Sequence, residues 1–156
     1  MIPINAAPVL VLDTNVCLDL FVFRDPRWAA LMQALQQGQY RAVTRPDCRM
    51  EWLVVLTYRQ LKLDEAAQAA CAAEFDSLIA CAEYPNTSGI NLPRCSDGDD
   101  QKFLELARDS KAQTLISKDK AVLKLARKTR QAGMFGILTP QVWVAEYEAE
   151  QAGLVR

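Results

Sequence analysis

An apolar run, Val9-Leu10-Val11-Leu12, ends abruptly on a carboxylate, Asp13, followed at once by Thr14-Asn15. Four consecutive β-branched or aliphatic residues read as a strand buried on both faces, the kind found in parallel sheets. The acid is then presented at the carboxyl edge of that sheet, where open α/β sheets bind ligands. The strand fixes the class of fold, and the acid fixes where chemistry would occur.

The remaining elements follow the same alternation. Asn15–Val22 reads as a short helix, and Asp25-Pro26 opens another through about Gln37, where Gly38 stops it. Tyr40–Val43 reads as a strand, and Pro46 opens a helix through about Leu61. Asp64 caps an Ala-rich helix running to about Tyr84, read as core or dimer surface. Residues 85–98 hold two prolines, two glycines and two asparagines and read as a loop. Beyond it lie a helix from Asp99 to Ser110, a strand at Gln113–Ser117 and a helix at Lys120–Gln131. A strand at Gly136–Leu138 and a helix from Pro140 to about Gln151 complete the chain. Alternating strands and helices predict a small parallel-sheet, three-layer α/β/α sandwich with right-handed crossovers. Residues 1–156 form a single domain in this reading, with no repeat, linker or low-complexity tract.

Composition removes several chemistries. Histidine is absent, which excludes His-based triads, His-ligated zinc and histidine general bases. The five cysteines form no Cys-x-x-Cys pair, so free thiols in a reducing cytoplasm are expected rather than a disulfide framework or a zinc site. Met1 to Pro8 lacks the basic and apolar regions of a signal peptide. No apolar run approaches the roughly 20 residues of a membrane span.

Three further acids stand where an apolar stripe would otherwise run. Residues three, four and seven positions on share a helical face. From Glu51 these are Val54, Val55 and Tyr58; from Asp100, Phe103, Leu104 and Ala107; from Asp119, Val122, Leu123 and Ala126. Glu105, by contrast, shares its face with Arg108 and Asp109 and is solvated. A carboxylate aligned with the core costs several kcal/mol if it is buried and unpaired. Any one of them is equally well a helix N-cap. Four together repel unless protons or cations neutralise them. Oxygen ligands without histidine or cysteine point to Mg²⁺ or Mn²⁺. Such sites serve phosphoryl chemistry, in which the metal activates water and neutralises charge on the phosphate.

These segments resemble the PIN domain, a metal-dependent ribonuclease fold. The resemblance rests on Val9 to Asn15, on Cys95-Ser96-Asp97-Gly98-Asp99-Asp100-Gln101-Lys102-Phe103-Leu104-Glu105-Leu106-Ala107, on Leu115 to Lys120, and on Ile137 to Pro140. Their order is similar to the branch of toxin components of toxin–antitoxin systems, and it spans essentially the whole chain. The resemblance implies a four-carboxylate site of Asp13, Glu51, Asp100 and Asp119, with Asp47 one turn before Glu51 as the alternative. Thr14, Asn15 and Ser117 match supporting polar positions. Where the branch carries a basic residue and a proline in its acidic loop, this chain has Ser96 and Gly98, and Asp97 and Asp99 join the supporting polar set. An RNA substrate, an antitoxin protein partner and a homodimer are the associations it implies.

Lys111 to Arg130 holds seven basic residues against one acid, Asp119. Lys118, Lys120, Lys124 and Lys128 are candidates for the RNA backbone, since a basic rim positions a strand beside an acidic pocket. A solvated helix face explains the same charges. Trp28, Trp52 and Trp143 are expected in the core rather than stacked on bases. A haloacid-dehalogenase-like phosphatase would need a second Asp where Asn15 stands. A receiver-like module would need an acidic pair after the first strand. A PIN fold that only binds RNA or protein has no use for a costly carboxylate cluster.

Overall fold

A computed structural model of the chain describes residues 7–86 and 89–153, so most of the Met1 to Pro8 reading falls outside the described residues. The chain runs β1 (Val9–Leu12), α1 (Thr14–Phe21), α2 (Ala29–Gln36), β2 (Arg41–Thr44), α3 (Pro46–Val55), α4 (Glu65–Leu78) and β3 (Ile79–Cys81). It continues through α5 (Gln101–Asp109), β4 (Thr114–Ile116), α6 (Lys120–Leu123), α7 (Ala126–Gln131), β5 (Gly136–Leu138) and α8 (Pro140–Gln151). Short polar side chains start many of the helices. Asp13, Asp64, Asp119 and Thr139 each accept a backbone N–H at the head of α1, α4, α6 and α8. Pro46 and Pro140 occupy first-turn positions where no N–H is needed.

The five strands lie in the order β3-β2-β1-β4-β5, and every neighbouring pair is parallel. Side chains alternate across the sheet, and the two faces build two separate cores. Leu10 and Leu12 join Ala42, Ile79 and Ile116 under α1, α2, α4 and α8. Val11 joins Val43, Leu115 and Ile137 under α5 and the α6–α7 segment. The fold is therefore a three-layer α/β/α sandwich, with β1 central and buried on both faces.

Three boundaries differ from the sequence expectation. The Ala-rich helix stops at Leu78, and Ile79–Cys81 forms the edge strand β3. Its partners are Ala42, Val43 and Thr44 of β2. Alanine favours helix locally, but burying Ile79 against the sheet and completing a ladder outweighs that preference. The helix begun at Pro46 ends at Val55, short of Leu61, and the following 3₁₀ turn closes on Lys62 in the left-handed region (φ 54°). The basic helix expected over Lys120–Gln131 divides at Lys124–Leu125, where the Leu125 N–H bonds to the Val122 carbonyl three residues back. Among the described residues, no helix is long and apolar enough to cross a membrane.

Candidate metal centre at the sheet's carboxyl edge

Strand order reverses at β1, whose neighbours are β2 on one side and β4 on the other. The crevice outside the ends of β1 and β4 is thus the topological switch point. Asp13 is the first residue past β1 and Ser117 the first past β4. The Asp13 N–H still donates to the Ile116 carbonyl at 2.9 Å, and the Ser117 N–H to Leu138 at 3.0 Å, so the ladder holds both residues rigidly.

Asp13 is buried, and its carboxylate accepts from Thr14 N–H (2.7 Å), Ser117 Oγ (2.7 Å) and Asn15 Nδ2 (3.4 Å). Ser117 Oγ in turn accepts the Asp119 N–H at 3.0 Å, and Asn15 Oδ1 accepts the Lys118 N–H at 3.2 Å. Asn15 and Ser117 therefore tie the ends of two adjacent strands together, while the Thr14 hydroxyl reaches Glu51. Burial raises the Asp13 pKa, the Ser117 and Thr14 hydrogen bonds lower it, and the nearby charges of Glu51 and Asp119 raise it again.

Asp97, Asp100 and Asp119 bring carboxylate oxygens within 4.8 Å of one another. Each has a local reason to be there. Asp97 caps the 3₁₀ turn Gly98–Asp100, and Asp119 caps α6 through the Ala121 N–H at 2.8 Å. Asp100 heads the stripe of Phe103, Leu104 and Ala107, all buried, so α5 carries the acid inward with its apolar face. Asp100 caps no helix with its side chain, is 8% exposed, and leaves Oδ2 without a hydrogen-bond partner. Burial first, then the closeness of Asp119, Asp13 and Asp97, pushes its pKa up to about 7. Asp97, grouped by sequence with the supporting residues, stands within the cluster itself. Asp99 is exposed, and its backbone carbonyl rather than its carboxylate is engaged.

Glu51 stands apart from that trio. The stripe it was expected to head is not core: Val54 is 47% and Tyr58 48% exposed, while α3 buries Cys48 and Trp52 instead. The reason is that α3 packs against the helices α1 and α5, and its Trp52 meets Phe21 of α1 and Phe75 of α4. The Glu51 carboxylate is half-buried, and each of its oxygens accepts one hydrogen bond, Oε2 from Thr14 Oγ1 and Oε1 from Lys102 Nζ at 2.8 Å. Asp47 pairs outward with Arg45 at 2.7 Å, and Arg45 also reaches Glu105.

Two residues of the site escaped the sequence reading. Lys102 is the one cation in the acid-rich stretch Asp97–Asp100 and its first helical turn, a signal visible in the chain. Asp19 lies buried among Val16, Leu20 and Phe21 and accepts from Trp28 Nε1 (3.0 Å) and Lys118 Nζ (2.8 Å). A lone acid in an apolar helix was its signal. Lys118, a backbone candidate, is thus engaged by Asp19. Lys120, Lys124 and Lys128 are exposed and form no ion pair among the described residues. A recess of about 230 Å³ lined by Arg27, Trp28, Lys118, Thr139, Pro140 and Gln141 adjoins Lys118. Trp28, Trp52 and Trp143 are all buried in the core, and the five cysteines are free.

A parallel α/β/α sandwich with a cluster of carboxylates at its switch point, Asp13 and Asp100 buried, defines an acidic-site α/β protein. The PIN domain family model matches residues 9–121, from β1 into α6, and the chain belongs to the PIN domain family. PIN domains are generally nucleases, and PIN nucleases generally use divalent metal ions. A comparison with curated proteins found no match. The donor set fits such an ion: all-oxygen ligands, mutually repelling acids and one buried carboxylate oxygen left unpartnered.

Proposed function

We propose that the chain is an Mg²⁺- or Mn²⁺-dependent endoribonuclease that hydrolyses single-stranded or structured RNA, and that it is the toxin of a toxin–antitoxin pair. The observation that carries the reading is the unpartnered Oδ2 of Asp100, buried between Asp97 and Asp119 beside Asp13. A binding module gains nothing from an orphaned acid, whereas a metal site needs one. Asp13, Asp97, Asp100 and Asp119 would hold the ion, with Glu51 at its margin. A bound Mg²⁺ or Mn²⁺ would supply Lewis acidity toward the phosphate and make a bound water more acidic than bulk water.

The chain's own residues do the rest. Ser117 and Thr14 hold the Asp13 carboxylate in place, and the helix caps hold Asp97 and Asp119. Lys120, Lys124 and Lys128 offer unpaired ammonium groups to the phosphate backbone next to Asp119. The antitoxin is a protein partner in this proposal. A homodimer is supported by the exposed Met50 and Val54 on α3 and Tyr58 just beyond it. A cytoplasmic setting is supported by the free thiols.

The test is cleavage of defined single-stranded RNAs with Mg²⁺ or Mn²⁺, beside an Asp13→Asn variant. Loss of cutting in chelator and in the variant is expected. Cutting that survives both would sink the reading. A small open reading frame adjoining the gene, whose product suppresses cleavage, tests the toxin assignment.

A further inference from the structure

Lys102 follows the acidic run Asp97–Asp100 and turns its ammonium back toward the acids. Its ammonium donates to Glu51 Oε1 at 2.8 Å and to the Asp99 carbonyl, and its stem lies beside the Phe103 ring, 5.3 Å from ammonium to centroid. Thr14 Oγ1 occupies the other Glu51 oxygen. Each Glu51 oxygen therefore already accepts a hydrogen bond, and the Oε1 side faces a fixed ammonium rather than open solvent. The unsatisfied carboxylate chemistry lies elsewhere, at Asp100 with Asp97 and Asp119.

We infer that the site binds a single divalent ion, and that the Lys102 ammonium stands where a second metal would otherwise sit, against Glu51. This rests on the metal-dependent reading above and adds the number of ions and the residue that sets it. The physical reason is charge. Thr14 bonds to both Asp13 and Glu51, and Ser117 Oγ bonds to both Asp13 and the Asp119 N–H, so Asp13 has one acid linked to it through each residue. The Asp119 side is open and attracts a hard cation. The Glu51 side is already neutralised by a fixed cation whose side chain is only 20% exposed. Lys102 is carried by α5, one residue before Phe103, so the helix that brings in Asp100 also brings in the ammonium. A phosphate entering the site would then meet the bound ion on one side and a permanent positive charge on the other, as two-metal sites provide with a second ion.

The experiment counts Mn²⁺ bound per chain, by equilibrium dialysis and by the electron paramagnetic resonance of free Mn²⁺, in the wild type, Lys102→Met and Lys102→Arg. One ion is expected in the wild type. Lys102→Met keeps the apolar stem and exposes Glu51, so it should gain a second ion; Lys102→Arg should return to one. Two ions in the wild type overturn the inference while leaving the nuclease reading intact. A Lys102→Met protein that still binds one ion overturns it as well. No bound ion in the wild type overturns both. Should Lys102→Met not fold, the wild-type and Lys102→Arg counts still decide, because two ions in either contradict a lysine-filled second position.

Discussion

The Ser117 hydroxyl donates to the Asp13 carboxylate at 2.7 Å across 104 positions of sequence, joining the ends of two neighbouring strands at the one point where strand order reverses. The same oxygen accepts the Asp119 N–H, so one hydroxyl orients two acids. Replacing it with Ser117→Ala leaves a buried carboxylate and a backbone N–H short of a partner. The expected cost is about 1–3 kcal/mol, read as a fall of roughly 2–4 °C in melting temperature per kcal/mol. Mn²⁺ affinity should fall too. An unchanged melting temperature would show that the hydroxyl holds nothing.

Asp100 gives a pH signature. Its pKa in the folded protein is pushed up to about 7, above the 3.8 of an unperturbed Asp. Between those values the folded state keeps a proton that the unfolded state has released, so stability falls as pH rises. Below about pH 4 both states are protonated and the penalty vanishes. In chelator, the melting temperature should therefore decline from about pH 4 to pH 7, and Asp100→Asn should flatten the decline. Asp13 is shifted the same way and leaves a residual slope. Saturating Mn²⁺ should raise the wild-type melting temperature most at the upper end of this window. A flat wild-type profile would show that the acids are not crowded.

Lys120, Lys124 and Lys128 are exposed and unpaired among the described residues. Changing all three to Gln should weaken RNA binding and reduce the slope of log affinity against log salt by up to about 2, at about 0.7 per single-strand phosphate contact. The turn at Lys124–Leu125 separates Lys120, at the head of α6, from Lys128 in α7. An unaltered slope assigns all three to bulk solvent.

Lys118 should behave differently from its neighbours. Its ammonium neutralises Asp19, whose side chain is 7% exposed against 41% for the lysine. Lys118→Met leaves that buried carboxylate with the Trp28 N–H alone. The exposed lysine end keeps the expected loss to about 1–3 kcal/mol. Asp19→Asn with Lys118→Met should recover part of it. A Lys118→Met protein as stable as the wild type would return this lysine to the list of RNA contacts.

Product ends test the chemistry. With no histidine in the chain, no imidazole is present to deprotonate a 2′-hydroxyl, and the crowded acids, Asp100 included, are the groups that would hold the ion. Hydrolysis by water should leave 5′-phosphate and 3′-hydroxyl ends, and a single 2′-deoxy substitution at the cleaved position should be tolerated chemically. Cyclic 2′,3′-phosphate ends would contradict the water-attack route.

Much of the fold was legible in the chain because its causes are local. β1 showed as an aliphatic run closed by Asp13. Alternate residues of that run do face opposite cores. Asp100 showed as an acid heading an apolar stripe, and α5 buries that stripe. The same rule misread the face that Glu51 shares, because α3 packs on α1 and α5 and turns Cys48 and Trp52 inward, leaving Val54 and Tyr58 outside. Periodicity identifies a face without saying whether a neighbour covers it.

The sequence by itself determined the alternation of strands and helices, the acid at the end of β1 and the caps that start the helices, since each depends on residues a few positions apart. Tertiary structure alone decided that Ile79–Cys81 is a strand, because an edge strand exists only against β2. It also decided that Asp97 joins Asp100 and Asp119, that Lys102 reaches Glu51 across 51 positions, and that Lys118 reaches Asp19 across 99. Such pairings depend on where the crossovers deliver each strand end. Only the reversal of strand order at β1 brings those ends to one crevice, where charge and burial then fix the chemistry.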